Sequence, residues 1–271
     1  MKLVVKKKGS LAKPPKARAQ AELSLPTELS VPSDNMLDYI TLMYGEKKIG
    51  KTSLWSHADR AFFMMCESGA KALKLMQRPV NTWEQFKSYV ALLEKDTAFR
   101  TVVVDTVDLA YLYCTRAVCK KMGIEHPSDE DWGKGWSAVR EEFITQINRL
   151  TNSGKGVVLI SHAAEREIKT RTGDKYDKII PTVPGQAREV LEGIVDIWAY
   201  YSYSQQHRML VIQGDDHIGA GHRLDQHFRY ASGKRIREIP MGNSSKEAYD
   251  NFVAAFRNQL KEVGHAPVRG K

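Results

Sequence analysis

The chain contains the segment Gly45-Glu46-Lys47-Lys48-Ile49-Gly50-Lys51-Thr52, which follows a short apolar run and precedes Ser53. This spacing of Gly-x-x-x-x-Gly-Lys-Thr between a strand and a helix predicts a loop that wraps phosphate groups. Its glycines allow a tight turn that directs backbone N–H groups and the helix N-terminus at the phosphates. Lys51 is expected to reach the β- and γ-phosphate oxygens, and Thr52 to offer a hydroxyl to Mg²⁺. We therefore expect residues 45–53 to bind ATP with magnesium, the alternative being a chance Gly-rich turn.

Apolar runs alternate with helical patterns on both sides of this loop. Strands are predicted at 37–43, 61–66, 101–104, 156–161, 196–201 and 208–213, and helices at 82–95, 107–121, 136–151 and 245–263. The run at 101–104 is continuously apolar, as in strands buried on both faces of a parallel sheet. Helices alternating with such strands predict right-handed βαβ units and a three-layer α/β fold with a mainly parallel sheet.

Length and charge suggest one large domain with tails. The 271 residues carry a net charge of +9, and seven of the cations precede the first acid, Glu22. Residues 1–34 lack apolar periodicity and contain four prolines, which predicts a disordered basic arm. The arm is either a grip on a polyanion or a solubility tail. We assign residues 35–243 to the core and 244–271 to a C-terminal helix and tail.

Cysteine usage and hydropathy indicate a cytoplasmic protein. Cys66, Cys114 and Cys119 are an odd set without short paired spacing, which argues against disulfides and zinc knuckles. Neither a signal-peptide apolar region nor a run of about 20 apolar residues is present, so we expect no membrane partner.

A second magnesium ligand is expected where the 101–104 run ends. Asp105 follows that run directly, and a carboxylate at this position would hold the metal through water. Asp108 is the nearby second candidate. A helix-capping role is the alternative for an Asp after a strand.

Three short segments carry a family resemblance: Met65-Cys66-Glu67-Ser68-Gly69, Val103-Val104-Asp105-Thr106 and Leu159-Ile160-Ser161-His162. In order and spacing they resemble the core motifs of RecA-like P-loop ATPases. More narrowly, residues 37–240 resemble the small phage-encoded RecA-like ATPases associated with single-strand annealing. The resemblance implies a DNA-dependent ATPase that assembles on single-stranded DNA and promotes annealing or strand exchange, in the host cytoplasm if the gene is phage-encoded.

The resemblance also assigns catalytic roles. It implies that Glu67 is the general base for the attacking water, although a capping Glu is the alternative. His162 falls where RecA has a glutamine that senses the γ-phosphate, and either side chain can donate a hydrogen bond; a purely structural histidine at a strand end is the alternative. The family supplies a cation in trans to the nucleotide of a neighbouring subunit, and Lys234 or Arg235 matches best, unless both belong to a charged surface hairpin. A homo-oligomer follows from that role.

Between His162 and Gly185 lies a polar stretch, a long loop or hairpin, where RecA-like proteins place a DNA-contacting loop. Its candidate DNA-binding residues are Arg166, Lys169, Arg171, Lys175, Tyr176 and Lys178. Cations track phosphates and an aromatic ring can stack on a base. Four acids reduce the local net charge to about neutral, so the stretch alone is weak support for DNA binding. A single-strand-binding protein is a possible further partner.

The sequence leaves three other interpretations to consider. His217, His222 and His227 with Asp215 and Asp216 match no established zinc spacing, which disfavours a metal site. A nucleotide-regulated assembly factor that contacts replication proteins, with slow or no hydrolysis, is the functional alternative. Phosphotransfer to a small molecule is disfavoured because no Arg-rich lid is identifiable.

Overall fold

A computed structural model describes residues 25–262 of the chain. The described residues divide into two units at Pro32 and Ser33. The described part of the first unit, residues 25–32, contains no helix or strand. Residues 1–24 of the predicted basic arm and 263–271 of the predicted C-terminal tail lie outside the described residues. The domain boundaries expected from the sequence stay a prediction.

The described part of the second unit forms one large sheet flanked by helices. The strands are β1 (Thr41–Gly45), β2 (Ala61–Met65), β3 (Met76–Pro79), β4 (Thr101–Asp105), β5 (Gly156–Lys169), β6 (Lys175–Pro181), β7 (Ile197–Ser204), β8 (His207–Val211), β9 (Gly221–His222) and β10 (Glu238–Pro240). The α-helices are α1 (Lys51–Trp55), α2 (Trp83–Leu93), α3 (Val107–Met122), α4 (Lys134–Thr151), α5 (Gly185–Ile194) and α6 (Ser245–Phe256). Short 3-10 helices occupy Met36–Asp38, Pro127–Asp129 and Asp131–Gly133.

The strand order is β10-β8-β7-β1-β5-β4-β2-β3, and β6 and β9 pair with β5 and β7. Strands β7, β1, β5, β4, β2 and β3 run parallel, whereas β6, β8, β9 and β10 pair antiparallel. Every residue of β1 and of β4 is buried. Continuous apolar strands suit this position because both faces of the sheet are covered.

Two hydrophobic layers cover the sheet. Helices α2, α3, α4 and α5 pack on one face, with Phe86, Phe143 and Leu191 buried there. On the other face α1 and α6 pack together, with the ring of Trp55 5.9 Å from that of Phe252. The Ser244 side chain caps α6 by accepting a hydrogen bond from Glu247 N at 3.1 Å. The three-layer α/β fold with a mainly parallel sheet is thereby confirmed.

Several element boundaries differ from the sequence prediction. The first strand begins at Thr41 rather than at residue 37, because the Asn35 side chain accepts from Leu37 N and caps a 3-10 turn. Strand β5 continues past His162 to Lys169 and forms an antiparallel hairpin with β6, so the hairpin rather than the long loop is correct. The last helix ends at Phe256 instead of residue 263.

Within residues 25–262, no helix is both long enough and apolar enough to cross a bilayer.

Candidate nucleotide-binding site

The P-loop lies at the centre of the sheet, between the end of β1 and the start of α1. Gly45 pairs with His162 of β5 on one side and Tyr201 of β7 on the other. A Cβ atom on Gly45 would lie 2.0 Å from the Tyr201 carbonyl oxygen, so only glycine fits this close approach. Gly50 has a φ of 106° at the N-cap of α1, a left-handed conformation that disfavours other residues. These two glycines fix the loop at the carboxyl edge of the sheet.

Lys51 is buried beneath this loop. Its Nζ donates to the carbonyl oxygens of Gly45 at 2.9 Å and Glu46 at 2.7 Å. Burial lowers the pKa of Lys51 to about 8, although the Asp105 and Glu67 carboxylates oppose that shift. A buried ammonium held only by neutral carbonyls is poised to bind an anion that reaches it.

Thr52 and Asp105 meet at the same edge. Thr52 Oγ1 donates to Asp105 Oδ2 at 2.6 Å. Burial raises the pKa of Asp105, and the hydrogen bond from Thr52 opposes the shift. A hydroxyl and a carboxylate oxygen at one point are the hard ligands that Mg²⁺ prefers, so the residues present fit a magnesium ion. Asp108, the second candidate, contacts Ser161 and Thr182 instead.

Glu67 and His162 lie beside Asp105. Cys66 N and Glu67 N both donate to the Asp105 carbonyl, at 2.6 and 3.2 Å, which holds the end of β2 against β4. The Glu67 Oε2 to His162 Nε2 distance is 3.1 Å. The sheet thus brings five predicted residues to one edge: Lys51, Thr52, Glu67, Asp105 and His162.

Lys234 and Arg235 lie elsewhere. Lys234 Nζ is 3.4 Å from Glu262 Oε1, and Arg235 Nη2 donates to Asp225 Oδ1 at 2.8 Å. Both cations are exposed. Within residues 25–262, neither pairs with a P-loop residue of its own chain.

The hairpin of β5 and β6 separates the predicted DNA-binding residues onto two faces. Arg166 pairs with Lys178 and Ile168 with Tyr176, and these two pairs share one face because alternate residues do. The other face carries the pairs Glu167 with Asp177 and Lys169 with Lys175. Arg171 lies in the turn at the tip. We call these the Arg166 face and the Glu167 face.

The Arg166 face is continuous with a groove that the sequence did not indicate. This groove has a volume of about 470 Å³ and is lined by Ile168 and Lys178 of the hairpin, by Arg188 of α5, and by Trp198 and Arg223. Glu192 and Asp196 also line it, and each is paired with a cation. Glu192 Oε1 lies 3.7 Å from Arg188 Nε, and Asp196 Oδ1 lies 3.9 Å from Arg223 Nε. Lys178 was a predicted DNA-binding residue, but sequence reasoning missed the other lining residues because α5 and β7 join the hairpin only in the folded chain.

The three histidines near residue 220 have separate partners. His217 Nδ1 lies 3.0 Å from the Asp177 carbonyl and His227 Nδ1 lies 2.9 Å from the Phe256 carbonyl. His222 Nδ1 accepts from Leu224 N at 3.2 Å. Among residues 25–262, no group of three or more His, Cys, Asp or Glu side chains is arranged to hold a metal ion.

Comparison with known proteins agrees with this geometry. A family model described as AAA domain matches residues 38–224. The chain is 30% identical over 176 residues to the SPbeta prophage-derived uncharacterized protein YorG of Bacillus subtilis strain 168. That match covers 62% of this chain and 51% of the relative, so the chain spans about half the length of the curated relative it matches. Since the family model covers well over half of the chain, including the P-loop and the strands beside it, the protein belongs to the AAA domain family of P-loop ATPase-type domains.

Proposed function

We propose that this protein binds ATP with Mg²⁺, hydrolyses it, and couples the nucleotide to single-stranded DNA in phage recombination or replication. The observation that carries the nucleotide part is the 2.6 Å contact of Thr52 with Asp105 directly beside the P-loop. The prophage origin of the YorG relative supports a phage context. Annealing or strand exchange is the outcome we assign to the DNA part.

The chain's own residues suit phosphate binding. Lys51 now donates to two loop carbonyls, and a phosphate oxygen would give its ammonium a charged partner in place of neutral ones. Thr52 and Asp105 would hold Mg²⁺ through their oxygens. When bound, Mg²⁺ neutralises charge that develops on the phosphate oxygens. Ser53 extends the same helix N-terminus, whose N–H groups favour anions.

Glu67 is the residue that we assign to water activation. A carboxylate beside the candidate metal ligand Asp105 would be suited to take a proton from an attacking water. His162 Nε2 lies 3.1 Å from Glu67 and would hold the carboxylate in one orientation. Because His162 also lies opposite Gly45, it is placed to donate to a phosphate oxygen when nucleotide arrives.

The Arg166 face is the surface that we assign to DNA. Arg166 and Lys178 form no ion pair within residues 25–262, and Tyr176 lies on the same face as both. Cations next to an aromatic ring suit the backbone and bases of a single strand. Trp198 and Arg188 extend this character into the neighbouring groove. The acids that made the stretch neutral overall lie largely on the Glu167 face.

Assembly completes the proposal. Lys234 or Arg235 acts in trans on the nucleotide of a neighbour in a homo-oligomer, which is compatible with their exposure and their position away from their own P-loop. Both residues lie beyond the segment matched by the family model. A single-strand-binding protein is a further candidate partner, and the host cytoplasm is the expected compartment.

ATP turnover measured with and without single-stranded DNA tests the proposal. Turnover that rises with DNA supports the DNA-dependent ATPase. Tight ATP binding with negligible turnover under both conditions would favour a nucleotide-regulated assembly factor instead. If the wild-type protein does not bind ATP at all, both functions are wrong.

A further inference from the structure

Asp108 holds an unusual position in the first turn of α3. It lies three residues after Asp105, and the residue is half-buried. Asp108 Oδ1 accepts from Ser161 Oγ at 2.9 Å and from Thr182 Oγ1 at 2.5 Å. Its other oxygen, Oδ2, is buried and has no hydrogen-bond partner among the described residues. Burying a carboxylate oxygen without a hydrogen-bond partner is unfavourable, because nothing replaces the hydration that it loses.

The two partners of Asp108 mark the base of the hairpin. Ser161 immediately precedes His162 on β5, and Thr182 follows the last residue of β6. Thr182 N also donates to the His162 carbonyl at 2.9 Å. One carboxylate therefore joins both strands of the hairpin to the helix that follows the candidate magnesium ligand Asp105.

We propose that Asp108 is a positioning residue that ties the base of the hairpin to the start of α3, so that nucleotide at Asp105 changes the hairpin. The inference deepens the proposed function and rests on it for the nucleotide. Asp105 and Asp108 belong to one short segment, and a displacement at the metal site moves the acceptor of both hydroxyls. We call the two hydrogen bonds that Asp108 accepts from Ser161 and Thr182 the Asp108 tether. Because the hairpin carries the Arg166 face, this tether links the nucleotide site to the assigned DNA surface.

The chemistry of the tether distinguishes two substitutions. Asp108→Asn keeps an oxygen at the Oδ1 position and can still accept from Ser161 and Thr182. Asp108→Ala removes the acceptor and leaves the buried Ser161 hydroxyl and the half-buried Thr182 hydroxyl without it. Thr101→Val is a matched control, since it removes a buried hydroxyl that donates to the Asp59 carbonyl at 2.9 Å, away from the hairpin.

Amide hydrogen exchange of the full chain, with and without a non-hydrolysable ATP analogue and Mg²⁺, tests the proposal. In wild-type protein the analogue should change exchange in residues 161–182. Asp108→Ala should bind the analogue but lose this change, and without nucleotide its hairpin should exchange roughly tenfold faster than in Thr101→Val. Asp108→Asn should restore both properties.

Several outcomes would overturn the tether. They are a normal hairpin response in Asp108→Ala, an Asn variant as defective as the Ala variant, or faster exchange spread evenly over the whole chain. Nucleotide affinity is measured separately. If wild-type protein binds the analogue but hydrogen exchange in its hairpin does not change, the proposed role of Asp108 is wrong and the proposed function stands. If wild-type protein does not bind the analogue, the proposed function is wrong. In that case the comparison of nucleotide-free variants still decides whether Asp108 holds the hairpin.

Discussion

The Glu67 carboxylate and the His162 imidazole contact each other at 3.1 Å, although Glu67 follows β2 and His162 lies in β5, and these two strands are not neighbours. Strand β4 lies between β2 and β5, and the carbonyl of its last residue, Asp105, accepts from Glu67 N at 3.2 Å. A residue that we assign to phosphate sensing therefore contacts the residue that we assign to water activation, next to the candidate metal ligand. Nucleotide that draws His162 toward a phosphate would change the position of Glu67.

We predict that Glu67→Gln binds ATP and magnesium but loses most turnover. Glutamine keeps an oxygen for His162 yet cannot take a proton, and general-base catalysis typically contributes roughly 10² to 10⁴-fold. Steady-state ATPase and equilibrium binding assays measure the two effects. Glu141→Gln, an exposed acid of α4, is the control for loss of charge. Normal turnover in Glu67→Gln would return Glu67 to a capping role.

Lys51→Met is expected to abolish productive ATP binding while leaving the fold intact. Methionine fills the space of the lysine stem but offers no charge to the phosphates. It also removes a buried ammonium, so thermal unfolding of the nucleotide-free variant should match or exceed the wild type. Lys120→Met removes an exposed cation of α3 and serves as the control. If Lys51→Met binds ATP as tightly as the wild type, the assignment of the nucleotide site to the P-loop is wrong.

ATP affinity should fall as the pH rises from about 8 toward 10.5. The pKa of Lys51 in the nucleotide-free protein is lowered from 10.5 to about 8 by burial, so the side chain loses its proton within this window. Phosphates favour the charged form, and binding there must take up a proton. Calorimetric titration in two buffers of different ionisation enthalpy at about pH 8.5 measures this uptake. Lys51→Arg, which stays charged, should show none, and zero uptake by the wild type would contradict the prediction.

The P-loop and the buried strands were predictable because their signals are local. The Gly-x-x-x-x-Gly-Lys-Thr spacing specifies the P-loop, and the continuous apolar run at 101–104 specifies a buried strand. Each of these signals is contained in a few consecutive residues. The convergence of Asp105, Glu67 and His162 also follows, since parallel strands end at one edge of a sheet. The roles of these residues stay predictions.

The hairpin faces and the Asp108 tether were not predictable in the same way. Whether Arg166 shares a face with Lys178 or with Asp177 depends on the strand register, and a shift by one residue would reverse it. Asp108 meets Thr182 across 74 residues of sequence. No local pattern encodes that contact.

If Lys234 or Arg235 acts in trans, replacing both with alanine should cut turnover and leave ATP affinity nearly normal. Mixing this double variant with Glu67→Gln should restore part of the activity, because each supplies the half-site that the other lacks. Turnover is measured across mixing ratios at constant total protein. Both variants must first show wild-type unfolding profiles, since the replacement also removes ion pairs with Asp225 and Glu262. Absence of rescue at every ratio would leave the two cations in a charged surface hairpin.

The affinity for single-stranded DNA should depend more on the Arg166 face of the hairpin than on the Glu167 face. The double variants Arg166→Ala/Lys178→Ala and Lys169→Ala/Lys175→Ala remove the same charge from the same hairpin, so general electrostatic attraction falls equally in both. Only the first pair lies beside Tyr176 and away from the acids. Lys175 is already 2.8 Å from Glu167, which leaves less of its charge for DNA.

We therefore expect the first variant to lose more affinity, and to lower the logarithmic salt slope by about 0.7 for each phosphate contact removed. Fluorescence anisotropy over a salt series, with ATP and Mg²⁺ present, measures both quantities. ATP and DNA must also tighten each other's binding by the same factor if the two sites are coupled. Equal losses in the two variants would remove the Arg166 face as the DNA site. Wild-type protein without single-strand affinity at low salt would reject DNA binding itself and favour the assembly factor.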